Sequence, residues 1–169
     1  MAEDSTNLII VESPSKARTL KRFLGDKYQI EASVGHIRDL PKNDLGVDVE
    51  NGFKPTYVAS EDKSKVISQL KSLMKKAGTL YLATDPDREG EAIAWHLIEL
   101  LKPTIPVKRL AFHEITKSAI QESFDHTRDI DASLVSAQEA RRILDRLWGY
   151  KVSAKLWQNV KGGLSAGRV

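Results

Sequence analysis

The sequence predicts an α/β fold, a mostly parallel sheet flanked by helices, followed by a small all-helical segment. Short apolar runs rich in β-branched residues alternate with amphipathic stretches from residue 8 to about residue 124. Such alternation is typical of a parallel sheet covered by helices. After residue 131 no strand pattern remains, and apolar residues recur at helical spacing. We therefore expect residues 1–124 to form the α/β domain and residues 125–169 to begin a helical domain.

The first strand is predicted over residues 8–11, because a short and entirely apolar run suits a central parallel strand. Glu12 follows this run directly. A helix should then begin, with Ser13 as its N-cap and Pro14 in its first turn, and should end at Gly25. Glu12 thus lies at the tip of a strand, immediately before a helix.

A long polar loop is predicted over residues 35–52, between strands at 28–34 and 53–59. A helix over residues 60–76 follows. A loop of this length inside a domain is usually functional or a site of insertion. Within it, His36 suits either a structural role or contact with a phosphate backbone, and the residue pattern favours neither.

Three acids at alternating positions follow the apolar run that ends at Thr84; they are Asp85, Asp87 and Glu89. Open α/β sheets place ligands where a strand ends and a helix begins, and carboxylate oxygens suit Mg²⁺. One or two such acids would merely complement the helix dipole. Three acids together with Arg88 favour a metal site. If this strand neighbours the first one, Glu12 faces the same crevice.

The remaining elements are a strand over residues 107–112, a helix over 116–124 and a long helix over 132–148. Gly149 should break the long helix, and a short helix should start at Ser153. One face of the long helix carries an apolar set consisting of Ala137, Ala140, Leu144, Leu147 and Trp148. The glycine-rich and basic end of the sequence predicts that this chain is a piece of a longer protein.

Bulk composition narrows the class of protein. The 169 residues include 26 basic and 23 acidic side chains, so the net charge of +3 does not by itself indicate a polyanion partner. The lack of cysteine excludes disulfides, thiolate zinc and a cysteine nucleophile. No apolar run approaches the roughly 20 residues that cross a membrane. We expect a cytoplasmic protein without a membrane partner.

Residues 8–16 together with 85–91 resemble the Toprim fold, whose signature is a strand-end glutamate plus an Asp-x-Asp motif. Further stretches resemble the bacterial DNA topoisomerase I family, type IA; they are VGHIRDLP at 34–41, DPDREGEAIAWHL at 85–97, FHEIT at 112–116, ARRILDRLWGY at 140–150 and LSAGRV at 164–169. These stretches span nearly the whole chain. The resemblance implies a Rossmann-like Toprim domain and the start of the neighbouring helical domain that binds single-stranded DNA.

The resemblance further implies relaxation of negatively supercoiled DNA through a transient single-strand break and a 5′-phosphotyrosine link. The tyrosines of this chain do not match the family's nucleophile motif; they are Tyr28, Tyr57, Tyr81 and Tyr150. The nucleophile should lie beyond residue 169, and this piece alone should not cleave DNA. The alternatives are another Toprim enzyme, such as a primase or nuclease, and a non-catalytic DNA-binding module. Expected partners are single-stranded segments of supercoiled DNA and the rest of the parent chain, which should act as a monomer at the nucleoid.

Site roles implied by the resemblance fall into three sets. Glu12 would act as general acid on the leaving 3′-oxygen, Lys16 would steady the scissile phosphate, and Arg88 would support the acids or touch DNA. Mg²⁺ is the expected cofactor, held by Asp85 and Asp87 with Glu89 as a third or water-mediated ligand. Residues matching the positions that contact DNA are His36, Arg141, Arg142, Asp145, Tyr150, Ser165 and Arg168.

Overall fold

The computed structural model describes residues 6–164 as an α/β domain continued by one long helix. In chain order its elements are β1 (Asn7–Val11), α1 (Pro14–Leu24), β2 (Tyr28–Ala32), β3 (Arg38–Asp39), β4 (Val47–Asp48), β5 (Lys54–Pro55), β6 (Val58–Ala59), α2 (Ser64–Met74), β7 (Leu80–Leu82), α3 (Arg88–Leu101), β8 (Val107–Arg109), α4 (Lys117–Asp125) and α5 (Ala132–Asn159).

The central sheet has four strands in the order β2-β1-β7-β8, and all neighbouring pairs are parallel. Strand β1 is buried on both faces. Leu8 and Ile10 pack with residues of α2 and α3, whereas Ile9 and Val11 pack with residues of α1 and α4. This arrangement confirms the predicted α/β class, a mostly parallel sheet flanked by helices. Because β1 and β7 are adjacent, with Ile10 opposite Leu82, their carboxyl ends open at the same place.

Helix α1 has the predicted ends. The Ser13 side chain accepts a hydrogen bond from the Lys16 amide at 3.3 Å, with Pro14 in the first turn. Gly25 follows the helix with φ of 64°, a conformation that glycine adopts without steric penalty. The cap fixes the direction in which α1 leaves β1, and so it fixes the position of Lys16 relative to Glu12.

The segment between β2 and α2 differs from the prediction. Residues 53–59 do not form one strand; they form two strands of two residues each, β5 and β6. These strands pair antiparallel with β4 and β3, respectively, so the expected loop at 35–52 is held by two small ladders. The expected helix start at residue 60 is a 3₁₀ turn, Glu61–Lys63, and α2 begins at Ser64. Alternation of apolar and polar residues cannot indicate the pairing of strands that are only two residues long.

The predicted break at Gly149 is wrong, because α5 continues through it for a total of 28 residues. A Cβ atom at Gly149 would meet nothing within 4 Å. Glycine costs a helix interior only about 1 kcal/mol relative to alanine, which does not interrupt a helix that is well formed on both sides. The predicted short helix from Ser153 is therefore the last part of α5.

The apolar face of α5 lies toward solvent rather than toward the domain. Leu144 is 67% exposed and Trp148 is 63% exposed, whereas Val135 and Gln138 are buried against the body of the domain. The first half of α5 packs beside α3. Polar side chains, described below, make most of its further attachments. No helix within residues 6–164 is long and apolar enough to cross a membrane.

Candidate functional site

Glu12, Lys16 and Asp85 meet at the carboxyl ends of β1 and β7. The Asp85 amide donates a hydrogen bond of 2.9 Å to Glu12 Oε2. The Lys16 ammonium forms ion pairs with both Glu12 Oε1 and Asp85 Oδ1. The prediction that Glu12 and Asp85 would face one another across a single crevice is confirmed. It follows from adjacent parallel strands, whose ends share one edge of the sheet.

The ion pairs change the acidity of this group of side chains. Partial burial opposes the charge on Lys16, but hydrogen bonds to Asp85 and Glu12 outweigh it and raise the pKa of Lys16. Burial likewise opposes ionisation of Asp85, yet the hydrogen bond from Lys16 outweighs it and lowers the pKa of Asp85. Lys16 therefore stays charged and Asp85 stays ionised at neutral pH.

The other two acids of the turn at residues 85–90, hereafter the acidic turn, have different partners. Asp87 is the N-cap of α3 and accepts a 2.8 Å hydrogen bond from the Gly90 amide. Glu89 Oε2 lies 3.4 Å from His36 Nε2 and 3.3 Å from Gln138 Nε2. Arg88 is exposed on the first turn of α3.

No group of three or more acidic or histidine side chains within residues 6–164 is arranged to hold a metal ion as it stands. The donor chemistry nevertheless suits a divalent cation, because Glu12 and Asp85 already share one cation, the Lys16 ammonium. Carboxylate oxygens are the ligands that Mg²⁺ prefers. Asp87 and Glu89 are exposed and lie in the same turn as Asp85, although Asp87 would give up its cap hydrogen bond to Gly90 if its carboxylate turned toward Asp85.

Gly90 packs directly on the main chain of Asp85. A Cβ at this position would lie 2.0 Å from the Asp85 carbonyl oxygen. The Thr84 hydroxyl also donates to the Gly90 carbonyl oxygen at 2.6 Å. The acidic turn is thus folded tightly back on the start of α3, and only glycine fits at its closing position.

Sequence reasoning missed a buried charged network beneath the acidic turn. Arg109, at the end of β8, is paired with Glu91 in the first turn of α3, and both side chains are essentially inaccessible to solvent. Arg128 reaches the same glutamate. Charged residues within apolar stretches were the available signal, since Arg109 borders Leu110 and Glu91 precedes Ala92-Ile93-Ala94.

A second cleft, of about 220 Å³, lies between the loop after β2 and helix α5. Its lining includes four of the residues predicted to contact DNA, namely His36, Arg141, Arg142 and Asp145. Tyr150 lies farther along α5, where its hydroxyl donates to the carbonyl oxygen of Asp44 at 3.2 Å. Ser165 and Arg168 lie outside the described residues.

Arginines of α5 hold the loop that forms one wall of this cleft. Arg142 makes a two-point ion pair with Asp39, with nitrogen–oxygen distances of 2.8 and 2.6 Å. Arg146 donates to the carbonyl oxygens of Pro41 and Asp44. Burial opposes ionisation of Asp39, but the hydrogen bond from Arg142 outweighs it and lowers the pKa of Asp39. Arg142 therefore has an intramolecular role besides the predicted contact with DNA.

The floor of the cleft is aromatic. The rings of Tyr57 and His96 lie 4.6 Å apart, and Trp95 lies 4.8 Å from His96. Burial, together with the charges of His36 and Arg38, lowers the pKa of His96 to about 3, so His96 is neutral at physiological pH. Burial and the charge of Glu139 raise the pKa of Tyr57 above its ordinary range. Arg38 stacks over the Tyr57 ring at 5.4 Å.

The strand-end acids, the parallel sheet and the tight turn together define a Toprim domain. The family model described as Toprim domain matches residues 7–115, and the chain belongs to this family.

Among proteins with a Toprim domain, the similar sequences are those of DNA topoisomerase I. The chain is 55% identical to DNA topoisomerase 1 of Streptomyces coelicolor and 53% identical to DNA topoisomerase 1 of Synechococcus elongatus, over 99% and 96% of its own length. It spans 19% and 20% of the length of these two relatives.

The structure of full-length topoisomerase I from Thermotoga maritima is similar, with a TM-score of 0.87 and 49% sequence identity. The match covers 95% of this chain and 28% of that one. These findings confirm the predicted resemblance to bacterial DNA topoisomerase I, with this chain corresponding to its Toprim region.

Proposed function

We propose that this chain is the Toprim part of a type IA DNA topoisomerase, an enzyme that relaxes negatively supercoiled DNA by passing a strand through a transient single-strand break. The observation that carries the proposal is the meeting of Glu12, Lys16 and Asp85 at the ends of β1 and β7. A carboxyl group, an ammonium group and a cation-binding carboxylate are the side chains that phosphodiester chemistry needs around one phosphate.

Glu12 and Lys16 would act directly on the scissile phosphodiester. Lys16 would pair with a phosphate oxygen, since its ammonium already bridges two oxyanions in the crevice. After Lys16 has turned to the phosphate and Glu12 has taken up a proton, Glu12 would give that proton to the departing 3′-oxygen and recover it when the strand is rejoined. The hydrogen bond from the Asp85 amide holds the Glu12 carboxyl group in place for this exchange.

Asp85 and Asp87 would bind Mg²⁺, with Glu89 as a third or water-mediated ligand. When bound, Mg²⁺ would supply positive charge that offsets the charge developing at the phosphate. Asp85 Oδ1 forms an ion pair with the Lys16 ammonium, so Lys16 would turn toward the DNA when Asp85 binds Mg²⁺. Arg88, exposed beside these acids, would contact the DNA backbone.

The nucleophile would lie elsewhere in a longer parent protein. Tyr28 and Tyr81 both pack against Phe124, with ring centroids 5.2 Å apart in each pair. Tyr57 lies in the aromatic floor of the cleft, and Tyr150 contacts the loop. None of these rings reaches the crevice between Glu12 and Asp85 through a contact seen in residues 6–164, which supports a piece that does not cleave DNA alone.

Residues 125–169 would begin the helical domain that binds single-stranded DNA. The cleft between α5 and the loop after β2 offers arginines and an aromatic floor, and unpaired bases stack on such groups at about 1–3 kcal/mol each. The exposed apolar residues of α5, including Leu144, Trp148 and Trp157, suit coverage by further parts of that domain. The chain covers about a fifth of its relatives, which is consistent with this proposal.

The experiment that tests the function is incubation of the chain with end-labelled single-stranded DNA and Mg²⁺. We expect binding without cleavage. Cleavage products would instead indicate a nuclease of the same fold. For the metal, calorimetry should show that Asp85→Asn/Asp87→Asn loses Mg²⁺ binding while Asp62→Asn, an exposed acid on the 3₁₀ turn before α2, retains it. Identical isotherms for the double variant and the parent chain would refute the metal site.

The DNA path is tested by fluorescence anisotropy with a labelled oligonucleotide. Arg141→Ala should weaken binding by at least about fivefold, the effect of losing about 1 kcal/mol of stacking or phosphate contact. Lys71→Ala, on the exposed side of α2, is the matched loss of one positive charge and should change binding much less. Equal effects of the two substitutions would show that binding depends on overall charge and not on this cleft.

A further inference from the structure

The charged network beneath the acidic turn consists of Glu91, Arg109, Arg128 and the main chain of Asp131; we refer to it as the Glu91 network. The Glu91 side chain is 0% exposed and that of Arg109 is 1% exposed. Arg109 Nε and Nη2 lie 3.0 and 2.9 Å from Glu91 Oε1. A buried ion pair is a poor source of stability, because desolvation offsets its Coulomb attraction. The further contacts of Arg109 indicate a role other than stabilising the fold.

Arg109 uses its remaining donors on main-chain carbonyl oxygens around the acidic turn. Nη2 donates to Asp85 at 2.7 Å, and Nη1 donates to Leu82 at 2.9 Å and to Leu110 at 2.5 Å. With Glu91, these acceptors account for all five N–H groups of the guanidinium. Leu82 ends β7 and Asp85 starts the acidic turn. The planar guanidinium thus fixes, from the buried side, the backbone that carries Asp85.

Glu91 connects this guanidinium to helix α5. Its Oε1 also accepts from Arg128 Nη2 at 2.5 Å, and its Oε2 accepts from the Asp131 amide at 3.0 Å. Asp131 is the N-cap of α5, accepting from the amides of Ser133 and Leu134. Residues 109 and 128 also exchange two main-chain hydrogen bonds. One buried carboxylate therefore joins the acidic turn to the start of α5.

We propose that Arg109 is a positioning residue for Asp85, and that Glu91 couples the position of the acidic turn to helix α5. The inference rests on the proposed function, since it assigns Asp85 to the metal and α5 to DNA. Arg109 touches neither ligand; it acts through the Asp85 carbonyl oxygen. Arg128, whose side chain is 35% exposed, donates to Glu91 Oε1, the oxygen that Arg109 also binds, but not to the carbonyl oxygen of Asp85.

The test compares Arg109→Lys with Arg128→Gln in this chain. Lysine keeps a positive charge beside Glu91, but its three donors on one nitrogen cannot replace the five of the planar guanidinium, two to Glu91 and three to carbonyl oxygens. Mn²⁺ serves as the probe, and its dissociation constant is measured by electron paramagnetic resonance under conditions where circular dichroism shows the chain folded. We expect Arg109→Lys to weaken Mn²⁺ binding by about 10-fold or more, as loss of supporting groups around metal ligands does. Arg128→Gln should change the constant less than about twofold, because it leaves every Arg109 contact in place.

A second measurement, amide hydrogen exchange at Asp85, needs no metal. The Asp85 amide donates to Glu12, so displacement of the turn in Arg109→Lys should accelerate its exchange, whereas Arg128→Gln should not. If the parent chain does not bind Mn²⁺, the metal site of the proposed function is refuted, and exchange at Asp85 alone decides the positioning role. Unchanged exchange and unchanged Mn²⁺ binding in Arg109→Lys would overturn the inference. If that variant does not fold, the same two measurements are made on Arg109→Gln/Glu91→Gln, which removes both buried charges together.

Discussion

Replacing Gly90 with alanine should damage the acidic turn, although alanine favours helices. The new Cβ would lie 2.0 Å from the Asp85 carbonyl oxygen and 2.7 Å from its carbonyl carbon. Restoring an ordinary contact requires the turn and α3 to separate by about 1.4 Å. The side chains on either side of this contact cannot absorb the change, because the clash is with main chain that Arg109 also holds.

We expect Gly90→Ala to lower the free energy of unfolding by about 1–3 kcal/mol, the usual effect of forcing an extra carbon into a packed site. Gly149→Ala is the matched control, because Gly149 also lies inside a helix but has open space around its Cβ position. That substitution should stabilise the chain by about 0.5–1 kcal/mol. Urea unfolding followed by circular dichroism should therefore move the two midpoints in opposite directions. A Gly90→Ala chain as stable as Gly149→Ala would refute the close contact with Asp85.

Three further outcomes follow from single contacts. His96 takes up a proton near pH 6.5 in the unfolded chain but only near pH 3 in the folded chain, so the free energy of unfolding should fall by about 2 kcal/mol by pH 5. His96→Gln should remove this part of the pH dependence of the urea midpoint between pH 7 and pH 5. Asp39→Ala should leave Arg142 without its ion-pair partner and accelerate amide exchange across residues 36–46, with Asp26→Ala, an exposed acid outside this loop, as the control. Ser13→Ala should cost about 1 kcal/mol in urea unfolding through loss of the α1 cap, and an unchanged midpoint would contradict that role.

The sequence was sufficient to predict the part of the site that depends on strand order. Glu12 and Asp85 each follow a short apolar run, and the carboxyl ends of adjacent parallel strands must lie together. Helix caps such as Ser13 and Gly25 were also predictable, because they depend on local backbone geometry.

The rest depended on tertiary contacts that leave no periodic signal. A single arginine at the end of β8 gives no indication of its partner 18 residues earlier in the chain. The sequence made no prediction about which face of α5 meets the domain, because Arg142 and Arg146 attach the helix through loop residues more than 100 positions away in sequence. The predicted break at Gly149 was wrong because it considered only the low helix propensity of glycine and not the helical residues on both sides, which continue α5 to 28 residues.

The length of α5 has a mechanical consequence. Its 28 residues, at a rise of 1.5 Å each, make a rod of about 42 Å whose first turn is fastened to Glu91. A tilt of about 5° at that fastening displaces the opposite end by about 4 Å. The loop contacts of Arg142 and Arg146 resist such a tilt, so the helix is held at two places along its length. A load on the far end, which carries Trp157, would reach the acidic turn only by straining both attachments.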